Sequence, residues 1–252
     1  MTKTDRSPTR RGDYGVDAPY APIGFAIAAL VAGAGAIIVW WNTGRVITPP
    51  LIVLLFFCGN VGSFLYTTRC GKFTEWARIL DTLALHGDER VLDIGCGRGA
   101  VLTAVARRLG SGRITGVDLW IARDQSGNAR DVTLRNAALE GVADRVAVET
   151  GDMRALPFAD ASFDLVVSSL AIHNIASDND RVRAVGEAWR VLAPGGRLVI
   201  ADIRATRLYA STLAELGAAA VTRRRLGWRF WWGNPFAATS LVTASKPATL
   251  TQ

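Results

Sequence analysis

Asp93, Asp118, Asp152, Ser168 and His173 are the side chains of this 252-residue chain whose types and spacing could do chemistry, and a run of glycines stands beside the first of them. In VLDIGCGRG (91–99) an apolar stretch stops at Asp93 and opens into Gly95, Gly97 and Gly99. This is the pattern of a buried strand entering a tight turn and then a helix. Glycine belongs where the backbone takes unusual dihedrals and lies close against a bound group. Asp118 follows Gly95 by 23 residues, a separation at which an acid can accept hydrogen bonds from both hydroxyls of a ribose. With Ala100 the glycines also fit the dinucleotide pattern G-x-G-x-x-A. Asp93, however, would meet a pyrophosphate badly and would welcome an ammonium group. An adenosine carrying an amino acid and a sulfonium centre suits that carboxylate better than a nicotinamide dinucleotide.

The elements that must hold these residues follow from the hydrophobic pattern. Strands are expected at 90–94, 113–119, 145–150, 163–169, 198–201, 219–227 and 239–245. Helices are expected at 99–109, up to about 140, over 179–192 with a stop at Pro194-Gly195-Gly196, and over 206–217. Phe73, Trp76, Ala77, Leu80 and Leu83 give 72–86 an amphipathic helical spacing. Strands alternating with helices, the strands continuous in apolar residues, imply a parallel sheet covered on both faces. Ligands of such sheets gather at the carboxyl ends of the strands. Asp93 and the glycine turn, Asp118, Asp152, and Ser168 with His173 fall at four such ends in succession. One acid in a turn is ordinary; four consecutive ends are a site.

Ahead of this domain lie two uncharged stretches, Ala21 to Trp41 and Val46 to Thr68. Each is long enough to cross a hydrocarbon core of roughly 30 Å as a helix, so 21–41 and 46–68 are expected to form a transmembrane hairpin. Tyr20, Trp40, Trp41 and Tyr66 stand at the segment ends, where aromatic belts form. Gly24, Ala28, Ala32 and Ala36 offer a smooth packing face, with Gly59 and Ser63 as its counterpart. Lys3, Arg6, Arg10 and Arg11 precede the first span and Arg69, Lys72 and Arg78 follow the second, with Arg45 alone between them. The positive-inside rule then puts both termini and the domain in the cytosol. Residues 1–20 are expected to be a disordered tail and 67–73 a linker.

Of the net charge of +7, the part from residue 72 onward keeps +4, an excess suited to anionic headgroups. No basic stripe interleaved with aromatics exists of the kind nucleic-acid binding needs. Cys58, Cys70 and Cys96 have neither metal spacing nor a disulfide framework, consistent with a reducing compartment.

VLDIGCGRG (91–99), ITGVDLW (114–120), TGDMRALPF (150–158), FDLVVSSLAIHNI (163–175) and LAPGGRLVI (192–200) stand in the order and spacing of a known family. Residues 91–202 resemble the class I S-adenosylmethionine-dependent methyltransferases, of the kind that act mostly on small molecules. The resemblance implies an α/β, doubly wound, mostly parallel seven-stranded Rossmann-like sheet with its last strand antiparallel, here over 72–248. It implies S-adenosylmethionine as cofactor and a small-molecule acceptor. By similarity Asp93, Gly95 and Gly97 cradle the methionine part, and Asp118 binds the ribose. Leu119 and Trp120 flank the adenine, Asp152 accepts from its amino group, and Met153 packs on the ring. Ser168 and its neighbours face the reacting methyl group.

Two departures stand out. RDQSGN (123–128) makes a longer, more polar loop after the second strand than usual. No Asn-Pro-Pro-aromatic motif follows the fourth, which argues against methylation of nucleobase amines. If the acceptor must lose a proton, His173 is the candidate base; the alternative is a hydrogen-bonded structural histidine. The aromatic run LGWRFWWGNPF (226–236) is either a hairpin packed on the sheet edge or a lip at the bilayer covering a hydrophobic acceptor. The competing functions are a nicotinamide-dependent membrane oxidoreductase and a membrane protein that binds the cofactor without catalysis.

Overall fold

A computed structural model describes residues 10–46 and 48–248. Helix α1 (Tyr20–Thr43) ends at Gly44, whose left-handed backbone lets its N–H return to the Trp40 carbonyl. Helix α2 (Thr48–Tyr66) carries Pro49 and Pro50 in its first turn, where a missing N–H costs nothing. Both helices are long and apolar enough to cross a membrane, judged by length and composition. Large apolar side chains, among them Leu30, Val31, Trp41 and Leu55, stand exposed along them. The smooth-face expectation needs correction. Gly24 and Gly59 look outward into open space, and the contact with α2 runs instead past Gly33, which meets Leu54.

The expected linker at 67–73 is helical. A π-turn (Thr67–Gly71) joins α2 to α3 (Lys72–Leu83), so that Thr48–Leu83 is one continuous helix of 36 residues. The turn is pinned from outside. Thr67 Oγ1 donates to the Trp231 carbonyl at 2.5 Å, and a side chain at Gly71 would run into the Arg229 carbonyl. Trp76, Ile79 and Leu80 form the buried stripe that the spacing predicts.

The sheet contains β1 (Arg90–Ile94), β2 (Arg113–Asp118), β3 (Val146–Thr150), β4 (Phe163–Ser169), β5 (Leu192–Asp202), β6 (Ala219–Arg225) and β7 (Ser240–Ser245). Their order is β3-β2-β1-β4-β5-β7-β6, the first five parallel and β7 antiparallel to both neighbours. The chain order reverses between β1 and β4, which places the switch point beside Asp93. Helices α4 (Ala100–Ala106), α5 (Arg130–Leu139), α6 (Asp178–Val191) and α7 (Thr206–Glu215) cover the faces. Two apolar clusters result, one under α3 and α4 around Leu102 and Leu165, the other under α6 and α7 around Leu198 and Tyr209. Pro194-Gly195-Gly196 is not a helix stop. Strand β5 begins directly after α6, and Gly195 N–H and Gly196 O pair with Lys246.

Residues 10–19 correct the expectation of a disordered tail; residues 1–9 lie outside the described residues. Residues 10–19 form a strap over the amino end of α4 and the carboxyl end of α5. Tyr14 is buried, its hydroxyl shared with Thr103 and Glu140 at 2.8 and 2.9 Å. Asp13 accepts from Arg98, and Gly12 N–H donates to Glu140. Asp17 makes a 2.5 Å ion pair with buried Lys72 at the base of α3.

Candidate functional site

Asp93 ends β1 in the middle of the sheet and is 1% exposed. Neither carboxylate oxygen has a hydrogen-bond partner. Burial first, and the like charge of Asp118 second, push its pKa up to about 8. A carboxylate hidden without a partner is costly, and it marks a place where a cationic group belongs.

The turn beyond Asp93 is built from the backbone. Gly95 and Cys96 both donate to the Val117 carbonyl, at 2.8 and 3.2 Å. Gly95 has φ of 71°, and a Cβ there would collide with that of Ala171. Gly97, at φ of 50°, donates its N–H to Asp118 Oδ2 at 2.8 Å. The other oxygen of Asp118 accepts from Trp120 N–H at 2.6 Å and from Asn128 Nδ2 at 3.1 Å. A carboxylate offers about four acceptor positions. Asp118 therefore ties three backbone segments together and keeps capacity for a further donor such as a sugar hydroxyl.

The other candidate residues divide. Met153 lies over the turn, its methyl 3.5 Å from where a Cβ on Gly95 would stand. Trp120 spans toward β3, donating from Nε1 to Thr150 Oγ1 at 2.8 Å. Asp152 is engaged by Arg154, whose guanidinium reaches both oxygens at 2.6 to 3.0 Å and holds the carboxyl below its usual range. Leu119 points outward, 47% exposed. Ser168 turns into the sheet and donates to the Ile94 carbonyl at 2.8 Å, which leaves it no free hydroxyl proton to offer a reacting group.

His173 sits on a short 3-10 turn (Ile172–Asn174) after β4, two residues beyond the Ala171 that touches Gly95. Its Nδ1 lies 2.6 Å from Asp202 Oδ1. The two atoms are close, but no well-aligned hydrogen bond joins them. Asp202 is fully buried at the end of β5 and is fixed by the N–H groups of His173 and Ile203 and by the Tyr209 hydroxyl, at 3.0, 2.7 and 3.2 Å.

Sequence reasoning passed over three residues here. Asp202 ends a fifth strand, and the rule that found Asp93 and Asp118 could have found it. Asn128 is buried with its Oδ1 unpartnered beside Asp118. Asp124 is raised by burial and then, in the opposite sense, stabilised in its charged form by His173. Both lie in the DQSGN loop, which stood out only as a departure. Elsewhere His86, Asp88 and Glu89 bring ligand atoms within 4.8 Å of one another, but the Glu89 oxygens already accept the N–H groups of His86 and Gly87.

Residues 92–200 match the family described as "Methyltransferase domain". The chain is 37% identical to Methyltransferase GfsG of Streptomyces halstedii over 132 residues, which covers 52% of this chain and 43% of that protein. It is 35% identical to the Ubiquinone/menaquinone biosynthesis C-methyltransferase UbiE of Roseobacter denitrificans over 124 residues, covering 49% of this chain and 46% of the relative. The chain thus spans less than half the length of these relatives. Geranyl diphosphate C-methyltransferase from Streptomyces coelicolor superposes with a TM-score of 0.55 at 20% identity, over 69% of this chain and 78% of that one. The (4+2)-cyclase SpnF superposes with a TM-score of 0.55 at 21% identity, over 69% and 82%. At such identities the likeness shows the fold alone, and the cyclase illustrates that this fold hosts more than one reaction. The segment 92–200, which holds the glycine turn and the acids around it, is thus similar in sequence to the methyltransferase-domain family, and the chain shares the Rossmann-like fold of these structures.

Proposed function

We propose that the chain is a membrane-anchored S-adenosylmethionine-dependent methyltransferase acting on a small, lipophilic acceptor that reaches the site from the bilayer. The observation that carries the cofactor is Asp93, a buried carboxylate without a partner, at the head of a turn whose backbone leaves no room for side chains. When bound, S-adenosylmethionine supplies an electrophilic methyl group on a sulfonium. Asp93 would meet its ammonium group, and the Gly95–Gly97 backbone would lie along the amino-acid part. Asp118 and Asn128 would hold the sugar, and Trp120 and Met153 would flank the base. A nicotinamide dinucleotide would bring a pyrophosphate toward Asp93 and gain nothing from it.

The acceptor class rests on the direction of α3. Trp76 near its start donates to Ser169 at the carboxyl end of β4, at 2.8 Å, while the Leu83 carbonyl at its end receives Arg197 from low on β5. Helix α3 therefore runs antiparallel to the strands, and the spans that precede it rise from the same sheet edge as the site. The strap agrees, because Ala18 donates to the Asp124 carbonyl just before α1 begins. The positive-inside rule supports a cytosolic domain, and the direction of α3 supports a cleft turned toward the membrane. The UbiE relative is named for quinone biosynthesis, which is compatible with a lipophilic acceptor.

With Asp202 set beside Nδ1, His173 would use Nε2 to accept a proton from an acceptor hydroxyl or acidic carbon. The chain's remaining contribution is position and exclusion of water. The test is labelled-methyl transfer from S-adenosylmethionine into extracted membranes, comparing the full chain with its Asp93→Ala variant. Label should enter the organic phase with the full chain and not with the variant. Label confined to water-soluble products would overturn the acceptor class; equal labelling by the variant would overturn the site.

A further inference from the structure

Between α2 and the aromatic loop runs a groove of about 590 Å³, lined by residues including Phe56, Gly59, Ser63, Trp228, Trp231 and Pro235. Its walls are almost wholly apolar. The polar Asn60 and Asn234 in it are spent on each other, joined at 2.8 Å. The loop is not an independent flap. Phe230 and Trp232 are buried, Trp232 packs edge-on against Phe64 at 5.1 Å, and Ser63 and Thr67 both reach the Trp231 carbonyl. One wall is thus a membrane span and the other a fixed part of the domain, so the groove is preformed.

At its domain end Tyr66 stacks on Trp228 at 5.2 Å, and the Arg229 guanidinium lies over the opposite ring system, 4.6 Å from the Trp228 centroid. Arg229 makes no ion pair among the described residues, and neither do Arg223, Arg224 and Arg225 on the adjoining strand β6. An aromatic pair with a free guanidinium marks the level where hydrocarbon gives way to headgroups. A guanidinium without an acidic partner there selects a negative headgroup. A hydrocarbon chain matches the groove, and a phosphate matches the arginine at its end.

We propose that this groove holds one acyl chain of an anionic phospholipid, with Arg229 meeting its phosphate. The proposal rests on the membrane reading above and adds a defined lipid site to it. The lipid joins span to domain along the interface that the π-turn and the loop already share.

The site can be blocked without disturbing the protein. A side chain added at Gly59 meets no atom within 4 Å, and the same holds for Gly35 on the other span. Gly59→Leu would put a side chain into the groove that Gly59 lines, while Gly35→Leu makes an equal change on the other span. Full-length protein would be reconstituted in nanodiscs of phosphatidylcholine with phosphatidylglycerol. It would then be extracted in detergent and its retained lipid counted by native mass spectrometry. Wild type and Gly35→Leu should each keep one phosphatidylglycerol. Gly59→Leu and Arg229→Gln should lose it at least tenfold. Equal retention by Gly59→Leu, or phosphatidylcholine kept as well as phosphatidylglycerol, would overturn the proposal. A chain that fails to enter nanodiscs at all would instead overturn the membrane reading on which it stands.

Discussion

Replacing Asp93 with asparagine should abolish a pH dependence of stability whose size the buried carboxylate sets. Burial and Asp118 raise its pKa from 3.8 to about 8. Once the pH passes the unfolded value, the unfolded chain has released this proton while the folded chain still holds it. Between the two pKa values the folded state binds one proton more, so the free energy of unfolding falls by about 1.4 kcal/mol per pH unit. The contribution is fully present below the unfolded value and is lost as the pH rises through about 8. From pH 5 to pH 7 the wild type should lose about 3 kcal/mol that the asparagine variant, which does not titrate, keeps. Urea unfolding of the full chain in detergent, followed by tryptophan fluorescence at pH 5, 6 and 7, measures that difference. A wild-type-minus-variant difference constant over this window would refute the reasoning, because Asp93 would then be solvated and ionised in the folded protein. The cofactor site makes the same argument from the other side. S-adenosylhomocysteine carries the ammonium group that Asp93 lacks, so its binding at pH 6 should expel about one proton, readable by calorimetry in buffers of different ionisation enthalpy.

Gly95→Ala sets a Cβ against Ala171 at a φ of 71°; the left-handed backbone alone costs about 1–2 kcal/mol. Calorimetry should show S-adenosylhomocysteine binding at least tenfold weaker, partly restored by adding Ala171→Gly. Asp202→Asn removes the charge that holds His173 Nδ1; turnover should fall about a hundredfold with cofactor affinity unchanged, and unaltered turnover would leave His173 a structural role. Lys72→Met strands Asp17 beside Thr68 and Gln125; breaking such a buried pair costs about 3–5 kcal/mol, and trypsin should cut at Arg10 and Arg11 markedly faster. Trp232→Ala leaves a cavity between Phe64 and Phe230; a loss of about 3–5 kcal/mol is expected, seen as a lower Tm.

Four of the five parallel strands were legible to within a residue, because a strand buried on both faces is written as an apolar run; Val91-Leu92 and Leu165 to Val167 are cases in point. The first half of β5 was not, because its Pro194-Gly195-Gly196 reads as a turn. Asp93 and the glycine turn were legible for a related reason, since an acid ending such a run has few structural excuses. The strap was not. Its partners Glu140, Asn136, Arg98 and Thr68 are polar and lie 51 to 129 residues away, and no local periodicity records such pairings. Nor could spacing reveal that Ser168 bonds inward or that Arg154 occupies Asp152, because side-chain rotation leaves no trace in sequence. The aromatic run divided in the same way. Phe230 and Trp232 are buried, the latter against Phe64 of α2, whereas Trp228 and Phe236 remain exposed.

The π-turn at Thr67–Gly71 has a consequence for bearing as well as for attachment. A π-turn holds one residue more than the α-helical turn it replaces, and each residue of an α-helix advances the side-chain direction by about 100°. The rod from Thr48 to Leu83 is continuous, so a one-residue deletion in regular helix would pivot everything after it by roughly that angle, whereas a deletion at Cys70 would turn the π-turn into an ordinary α-turn and leave the bearing nearly unchanged. The turn is therefore the one place where the rod can lose a residue without swinging the domain round its axis.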